Sequence, residues 1–286
     1  MDCKIKPSVI IPAFNEARGI ARLLSEILPD DEPADYSVVV ACNGCTDNTA
    51  KIVRGRFPEV ICLELDEASK INAINAAENL GLGYPRVYVD ADIVIDKPSI
   101  HKLISIASSS DQPILVAPRA SIELSRSSWP VKRFYATWRK TRFFIQEGFG
   151  SGVYAMNFSA RKKFGKFPKV MSDDGYVRKA VGQEYTRVCE ECCSRVFAPM
   201  DLGSLLKIRT RGKLGKRELS GMMGCAANQE SRHKTFLLRP PILGFLVYYT
   251  VNAISFLRAY YVYRRTKPYE WGRDNSSRSD AGTESL

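Results

Sequence analysis

Asp90 and Asp92, two carboxylates separated by a single alanine, are the side chains in this sequence best spaced to do chemistry. They follow the apolar run Val87-Tyr88-Val89 and precede Ile93-Val94-Ile95, which reads as a buried strand emerging into a site. On an extended chain residues two apart point the same way, so both acids are aimed at one volume, where like charges call for a cation between them. Hard divalent ions prefer carboxylate oxygens, and Mg2+ commonly takes one or two of these together with substrate phosphates. The same residues could equally cap the strand and open a turn.

Such a pair needs a frame to hold it, and the preceding residues supply one. Ser8 to Pro12, Tyr36 to Ala41 and Val60 to Leu65 read as short buried strands. Between them, three segments read as helices: Ile20, Leu23, Leu24, Ile27 and Leu28 behind an Asn15 cap, a helix opening at Thr46 or Asp47, and Lys70 to Leu80. Strands alternating with helices imply a mostly parallel sheet, whose ligands bind outside the carboxyl ends of the strands. Residues 12 to 16, 43 to 47 and 90 to 92 all fall at such ends.

With 45% hydrophobic and 10% aromatic residues in 286, the composition is globular and excludes a disordered chain. The net charge of +11 is concentrated in one region, since residues 201 to 273 hold 14 Lys/Arg against 4 Asp/Glu, and an anionic partner should meet that region. Eight cysteines are too sparse for a secreted disulfide scaffold, and no apolar core of signal-peptide length opens the chain, so a reducing, cytoplasmic setting is expected. Cys42-x-x-Cys45 and Cys189-x-x-Cys192 have zinc-like spacing, yet no histidine accompanies either, and free thiols are the expectation. Because His101 and His233 are the only histidines, a His-centred catalytic site is disfavoured.

Taken in order, Ile10-Ile-Pro-Ala-Phe-Asn-Glu16, Asn43-Gly-Cys-Thr-Asp-Asn-Thr49, Lys70-Ile-Asn-Ala-Ile-Asn75 and Asp90-Ala-Asp92 resemble the nucleotide-binding half of family 2 glycosyltransferases. The resemblance covers the first hundred residues. It implies an α/β GT-A fold, Rossmann-like, with a mostly parallel sheet flanked by helices, and a UDP- or GDP-linked sugar donor. It also implies Mg2+ or Mn2+ held by Asp90 and Asp92. The nucleotide pocket would be lined by Pro12, Ala13, Asn15, Glu16 and Asp47, with Asn43 at the base and Lys70 at a phosphate. The family more often has aspartate where this chain has Asn43. Further along, the glycine-rich Gly148 to Gly152 and the pair Asp173-Asp174 fall where the family has its acceptor side. There the second acid is the general base, a role that transfers onto Asp174. The family usually has glutamate at the position of Asp173.

Residues 208 to 218 concentrate five basic side chains and read as a charged loop, from which Arg211, Lys213 and Arg217 could close over a diphosphate. Trp129 to Phe144 mixes aromatic and basic residues without any nucleic-acid motif, so an amphipathic helix is expected and no nucleic-acid partner. The Gln-x-x-Arg-Trp motif of processive synthases is absent, which favours transfer of one or few sugars. The uncharged run Ile242 to Leu257 has 16 residues, short of the roughly 20 that a spanning helix needs. With its tyrosines and basic flanks it reads as a C-terminal amphipathic helix lying on a membrane surface; core packing, dimerisation and spanning are the alternatives. The expected organisation is therefore a transferase domain over 1–230, divided at 100, a basic helix over 231–273 and a disordered tail over 274–286. The leading reading is a metal-dependent, inverting glycosyltransferase acting on a glycan or lipid-linked acceptor, peripheral on the inner face of a membrane. A sugar nucleotidyltransferase is disfavoured by the lack of a Gly/Arg-rich loop after the first strand. A non-catalytic nucleotide-sugar-binding partner is the third reading.

Overall fold

A computed structural model of the chain describes residues 6–28, 34–147, 152–223, 238 and 241–264. The glycine-rich residues 148–151 and the tail expected from 274 lie outside this set. The first half alternates strand and helix: β1 (Ser8–Ala13), α1 (Ile20–Ile27), β2 (Ser37–Asn43), α2 (Thr49–Arg56), β3 (Ile61–Leu65), α3 (Lys70–Glu78), β4 (Arg86–Val89) and α4 (Lys97–Ala107). Then come β5 (Leu115–Glu123), α5 (Trp129–Trp138), β6 (Val153–Met156), α6 (Phe158–Arg161), α7 (Asp173–Val181), β7 (Thr186–Phe197), α8 (Leu202–Met223) and α9 (Ile242–Arg264). Seven strands form one sheet in the order β3-β2-β1-β4-β6-β5-β7. β1 runs parallel to β2 and β4, and β2 to β3, whereas β6 is antiparallel to both β4 and β5. Successive residues Val9, Ile10 and Ile11 are all fully buried, as a parallel strand covered on both faces requires.

The chain divides into two compact units, one comprising 1–121, 149–169 and 176–196 and the other 122–148, 170–175 and 197–286. The first holds β1 to β4, β6 and α1 to α4; the second holds α5, α8 and α9.

In the first unit, a buried ionic cluster fixes α3 against β4. Glu78, at the last turn of α3, accepts from Arg86 at 2.6 Å, from Arg161 at 2.6 Å and from the Tyr88 hydroxyl at 2.7 Å. Burial and the neighbouring carboxylate push the Tyr88 phenol well above its ordinary pKa, so it remains a donor. Two guanidiniums share one acid here, and removing that acid strands both in low dielectric. Glu78→Ala is expected to cost about 3 kcal/mol, a fall in thermal midpoint of roughly 10 °C. A denaturant titration in which the variant lies within 1 kcal/mol of the parent would show that the cluster does not hold this packing.

In the second unit, the residues read as a charged loop form α8, a 22-residue helix. Gly215 sits inside it because the backbone of residues 171 and 172 passes close by: a Cβ there would stand 3.3 Å from that of Met171. α9 is 23 residues long and buries a stripe of small side chains, Gly244, Val251, Ser255 and Ala259, against its own unit. A Cβ on Gly244 would lie 2.5 Å from Thr137 Oγ1 on α5. Leu246, Phe256 and Leu257 are more than half exposed, so α9 is apolar around its circumference and not amphipathic. By length and composition it is long enough to cross a membrane, and 22% of its most apolar stretch is buried.

Candidate functional site

The site in the first unit is built from the loops after β1, β2 and β4. β1 ends at Ala13, and Asn15 adopts φ 53, the left-handed conformation that turns the chain back toward the loop after β2. Its side chain does not cap α1, whose N-cap is Gly19. Instead Asn15 Oδ1 accepts from the backbone N–H groups of Thr46 at 2.8 Å and Asp47 at 3.3 Å. Asp47 answers from the other side, accepting the Ala17 N–H at 3.1 Å and the Thr49 N–H at 3.0 Å. Burial works to raise the Asp47 pKa, but the Thr49 and Ala17 hydrogen bonds prevail and hold it below the usual carboxylate value, so Asp47 stays ionised. The Glu16 N–H donates to Thr49 Oγ1 at 2.8 Å, and Glu16 itself is buried. Thr49 was not anticipated as a site residue, although its place as the first residue of α2 beside Asp47 was a readable sign.

Asn43 is 3% exposed at the end of β2. Its amide nitrogen donates to the Ala13 carbonyl at 2.8 Å, tying the tips of the paired strands β1 and β2. An aspartate could not make that bond, because an ionised carboxylate only accepts. Next to it, Gly44 has φ 60, and a Cβ there would lie 2.8 Å from Ala68. Only glycine fits this passage.

β4 stops at Val89, and Asp90 to Ile93 form a turn closed by the Ile93 N–H donating to the Asp90 carbonyl at 3.0 Å. The extended reading of Val87 to Ile95 is corrected accordingly: Asp90 and Asp92 do not share a side by strand periodicity, and Asp92 is exposed while Asp90 is half-buried. Asp90 Oδ1 pairs with Lys70 Nζ at 2.6 Å, reaching the first residue of α3, whose N-cap Ser69 accepts the Asn72 N–H at 3.3 Å. Gly152 closes the wall. Its carbonyl accepts the Asp90 N–H at 2.8 Å, and at φ 74 a Cβ would lie 2.9 Å from Asp90 Oδ2. Across the loops, a Cβ on Gly19 would stand 3.5 Å from the Ala91 carbonyl and 4.0 Å from Glu16 Oε2, so the β1 and β4 loops meet. Thus Pro12, Ala13, Asn15, Glu16, Asn43, Asp47, Lys70, Asp90 and Asp92 all belong to the carboxyl-terminal end of the parallel strands β1 to β4.

Among the described residues no group of three or more His, Cys, Asp or Glu side chains could hold a metal by itself. The donor set at Asp90 and Asp92 nevertheless fits a hard divalent ion whose other ligands come from phosphate and water. Asp90 already faces one cation, the Lys70 ammonium.

The remaining sequence-derived residues lie in the second unit. Asp173 and Asp174 begin α7. Asp173 is 5% exposed, and Asp174 Oδ1 accepts from Ser172 Oγ at 2.6 Å and from the Gly175 N–H at 2.7 Å. Arg211, Lys213 and Arg217 stand on α8, not on a loop: Lys213 donates to Asn252 Oδ1 at 3.4 Å, and the Arg217 guanidinium lies over the Tyr263 ring at 3.7 Å.

Comparison with known proteins bears on this arrangement. Residues 8–165 match the family model described as glycosyl transferase family 2. The glycosyltransferase AglD of Haloferax volcanii is 30% identical over 115 residues, which are 37% of this chain and 18% of that protein. The mannosyltransferase PcManGT from Pyrobaculum calidifontis, solved with GDP-Man and Mn2+, superposes with a TM-score of 0.58 at 19% identity, covering 92% of this chain and 76% of that one. Glucosyl-3-phosphoglycerate synthase from Mycobacterium tuberculosis, solved with Mn2+, UDP-glucose and glycerol 3-phosphate, gives 0.53 at 16% identity, covering 76% and 79%. Both likenesses establish a shared fold.

Proposed function

Because the chain belongs to glycosyl transferase family 2 and has the GT-A fold, we propose that it transfers a sugar from a nucleoside-diphosphate donor to an acceptor hydroxyl, inverting the anomeric carbon. The observation that carries this reading is that the β1 loop meets both the β2 loop, at Asn15 and Thr46, and the β4 loop, at Gly19 and Ala91, beside the acid that pairs with Lys70. The stapled loops of Asn15, Asn43 and Asp47 form the floor against which the nucleoside lies, beside Pro12, Ala13 and Glu16. Asn43 spends its amide nitrogen on Ala13, which leaves its carbonyl oxygen to accept from the base. Lys70, paired with Asp90 in the free protein, is placed to reach a phosphate oxygen of the donor, and Asp90 and Asp92 would hold Mg2+ or Mn2+. That ion supplies charge stabilisation for the leaving diphosphate. Asp174 takes the acceptor proton, with Asp173 beside it; Arg211 and Arg217 remain the candidate cations on α8.

α9 is the basis for placing this activity at the inner face of a membrane, where a glycan or lipid-linked acceptor would be met. Its large exposed side chains present an uncharged surface, with Arg258 and Arg264 toward its end. The function is tested with a thermal-shift panel of UDP-, GDP-, CMP- and dTDP-sugars with and without Mn2+. One base class should raise the midpoint by about 7 °C at a hundredfold excess over Kd, and only with the ion. A flat panel would sink the reading.

A further inference from the structure

Three thiols gather beside the loop that carries Asn43, and they are not alike. Cys42 ends the β2 core and is 1% exposed, Cys62 sits on the neighbouring strand, and Cys45 is half-buried at the loop surface. The Cys42 and Cys45 side chains are hydrogen-bonded to each other across the Gly44 turn. The backbone N–H of Asn15 also points at Cys45 Sγ, at 3.4 Å, and that sulfur lies 3.5 Å from the Ala13 carbonyl. Cys45 therefore touches two residues of the proposed nucleotide floor, although no role in binding or transfer uses it.

We propose that Cys42 and Cys45 are a reactive dithiol that a small-molecule disulfide converts to an intraloop disulfide, and that the oxidised loop binds donor poorly. The Cys45 thiolate attacks one sulfur of the disulfide, forming a mixed disulfide and releasing one thiolate. Cys42 then loses its proton to that thiolate, attacks Cys45 Sγ and expels the second. In balance, two protein thiols and one small disulfide become one protein disulfide and two small thiols. The electronic setting matches this order. The hydrogen bond from Cys42, with that from Asn15, brings the Cys45 thiol down to about 6, while that same bond and burial push Cys42 up. Cys189 and Cys192 form the other such pair, but both are buried and the Cys192 thiol is pushed up by burial, so the exchange is specific to the β2 loop. Drawing Cys45 onto Cys42 takes it from Asn15 and Ala13, two residues of that floor. Only this last effect rests on the donor reading; the thiol chemistry stands without it.

The experiment has two readouts on the full chain. In the first, the reduced protein is alkylated briefly at pH 6.5 and separately treated with oxidised glutathione, then mapped by peptide mass. Cys45 should alkylate about 6-fold faster than free cysteine, the gain in thiolate outweighing its lower nucleophilicity. Oxidation should give a peptide two hydrogens lighter linking Cys42 and Cys45, and Cys42→Ser should instead retain glutathione on Cys45. In the second, oxidised and reduced protein are titrated with UDP-glucose and GDP-mannose in Mn2+, expecting a Kd at least tenfold higher when oxidised, and the same Kd with and without oxidant in Cys45→Ser, which can form neither the disulfide nor the glutathione adduct. No linkage at 42–45, or linkage at 189–192 instead, overturns the dithiol assignment. Linkage with equal Kd overturns the effect on binding. Reduced protein that binds neither sugar nucleotide overturns the proposed function while the mapping still decides the thiol chemistry.

Discussion

Asp90→Asn is expected to lower kcat/KM for sugar transfer roughly a thousandfold, about 4 kcal/mol of transition-state stabilisation, with little change in folding. The substitution keeps size and shape and removes one charge. That charge faces Lys70 at 2.6 Å, where the pair is only partly shielded from water, so its loss from the folded state costs under about 1 kcal/mol. In the reaction the same carboxylate is one of the two proposed to hold the cation, which would stabilise the charge that develops on the leaving diphosphate as the bond breaks. The variant should also lose the Mn2+-dependent part of the donor's thermal shift. Turnover within tenfold of the parent would move the cation elsewhere.

Asp174→Asn should lower kcat by a similar or larger factor, between a hundredfold and ten-thousandfold, and leave donor binding as it was. Oδ1 of Asp174 is engaged by Ser172 and Gly175, a fixed orientation that turns Oδ2 into the oxygen proposed to receive the acceptor proton. Asparagine can keep the first two bonds through its carbonyl, but its amide nitrogen accepts no proton. The two variants are therefore separable: the first loses the metal-linked donor response, while the second keeps it and fails only in transfer. An Asp174→Asn enzyme with the parent's kcat would take the base away from that position.

Much of the frame was legible because its signals are local. Ser8 to Pro12 and Lys70 to Leu80 read as elements from apolar spacing and ended within two residues of β1 and α3. The turn at Asp90 was not, since Ile93 and Ile95 are as buried after it as Val87 and Val89 are before it, and a buried turn flanked this way reads as one continuous strand. Asn15 followed the rule for helix caps, but tertiary contacts with Thr46 and Asp47 claimed its side chain. The glycines and cations of α8 have loop composition, so its helix is hidden from a local reading. Gly215 instead gives room for the close passage of residues 171 and 172, which no local pattern reports. α9 showed its length only in three dimensions, where the small residues proved to be the buried ones. Gly152 ends a glycine-rich run that is plain in the sequence, yet its pairing with Asp90 depends on β4 and β6 being neighbours.

α3 and β4 are bolted together at both ends. Lys70 meets Asp90 at the solvent-facing end, and Glu78 meets Arg86 at the interior end, about 13 Å away along nine helical residues. If Lys70 meets the donor as proposed, the outer bolt would be withdrawn by the incoming anion without loosening the helix, because the inner one keeps its register. Ligand exchange at the proposed site would thereby be insulated from the fold, and sequence drift around Lys70 should be tolerated structurally in a way that drift around Glu78 is not.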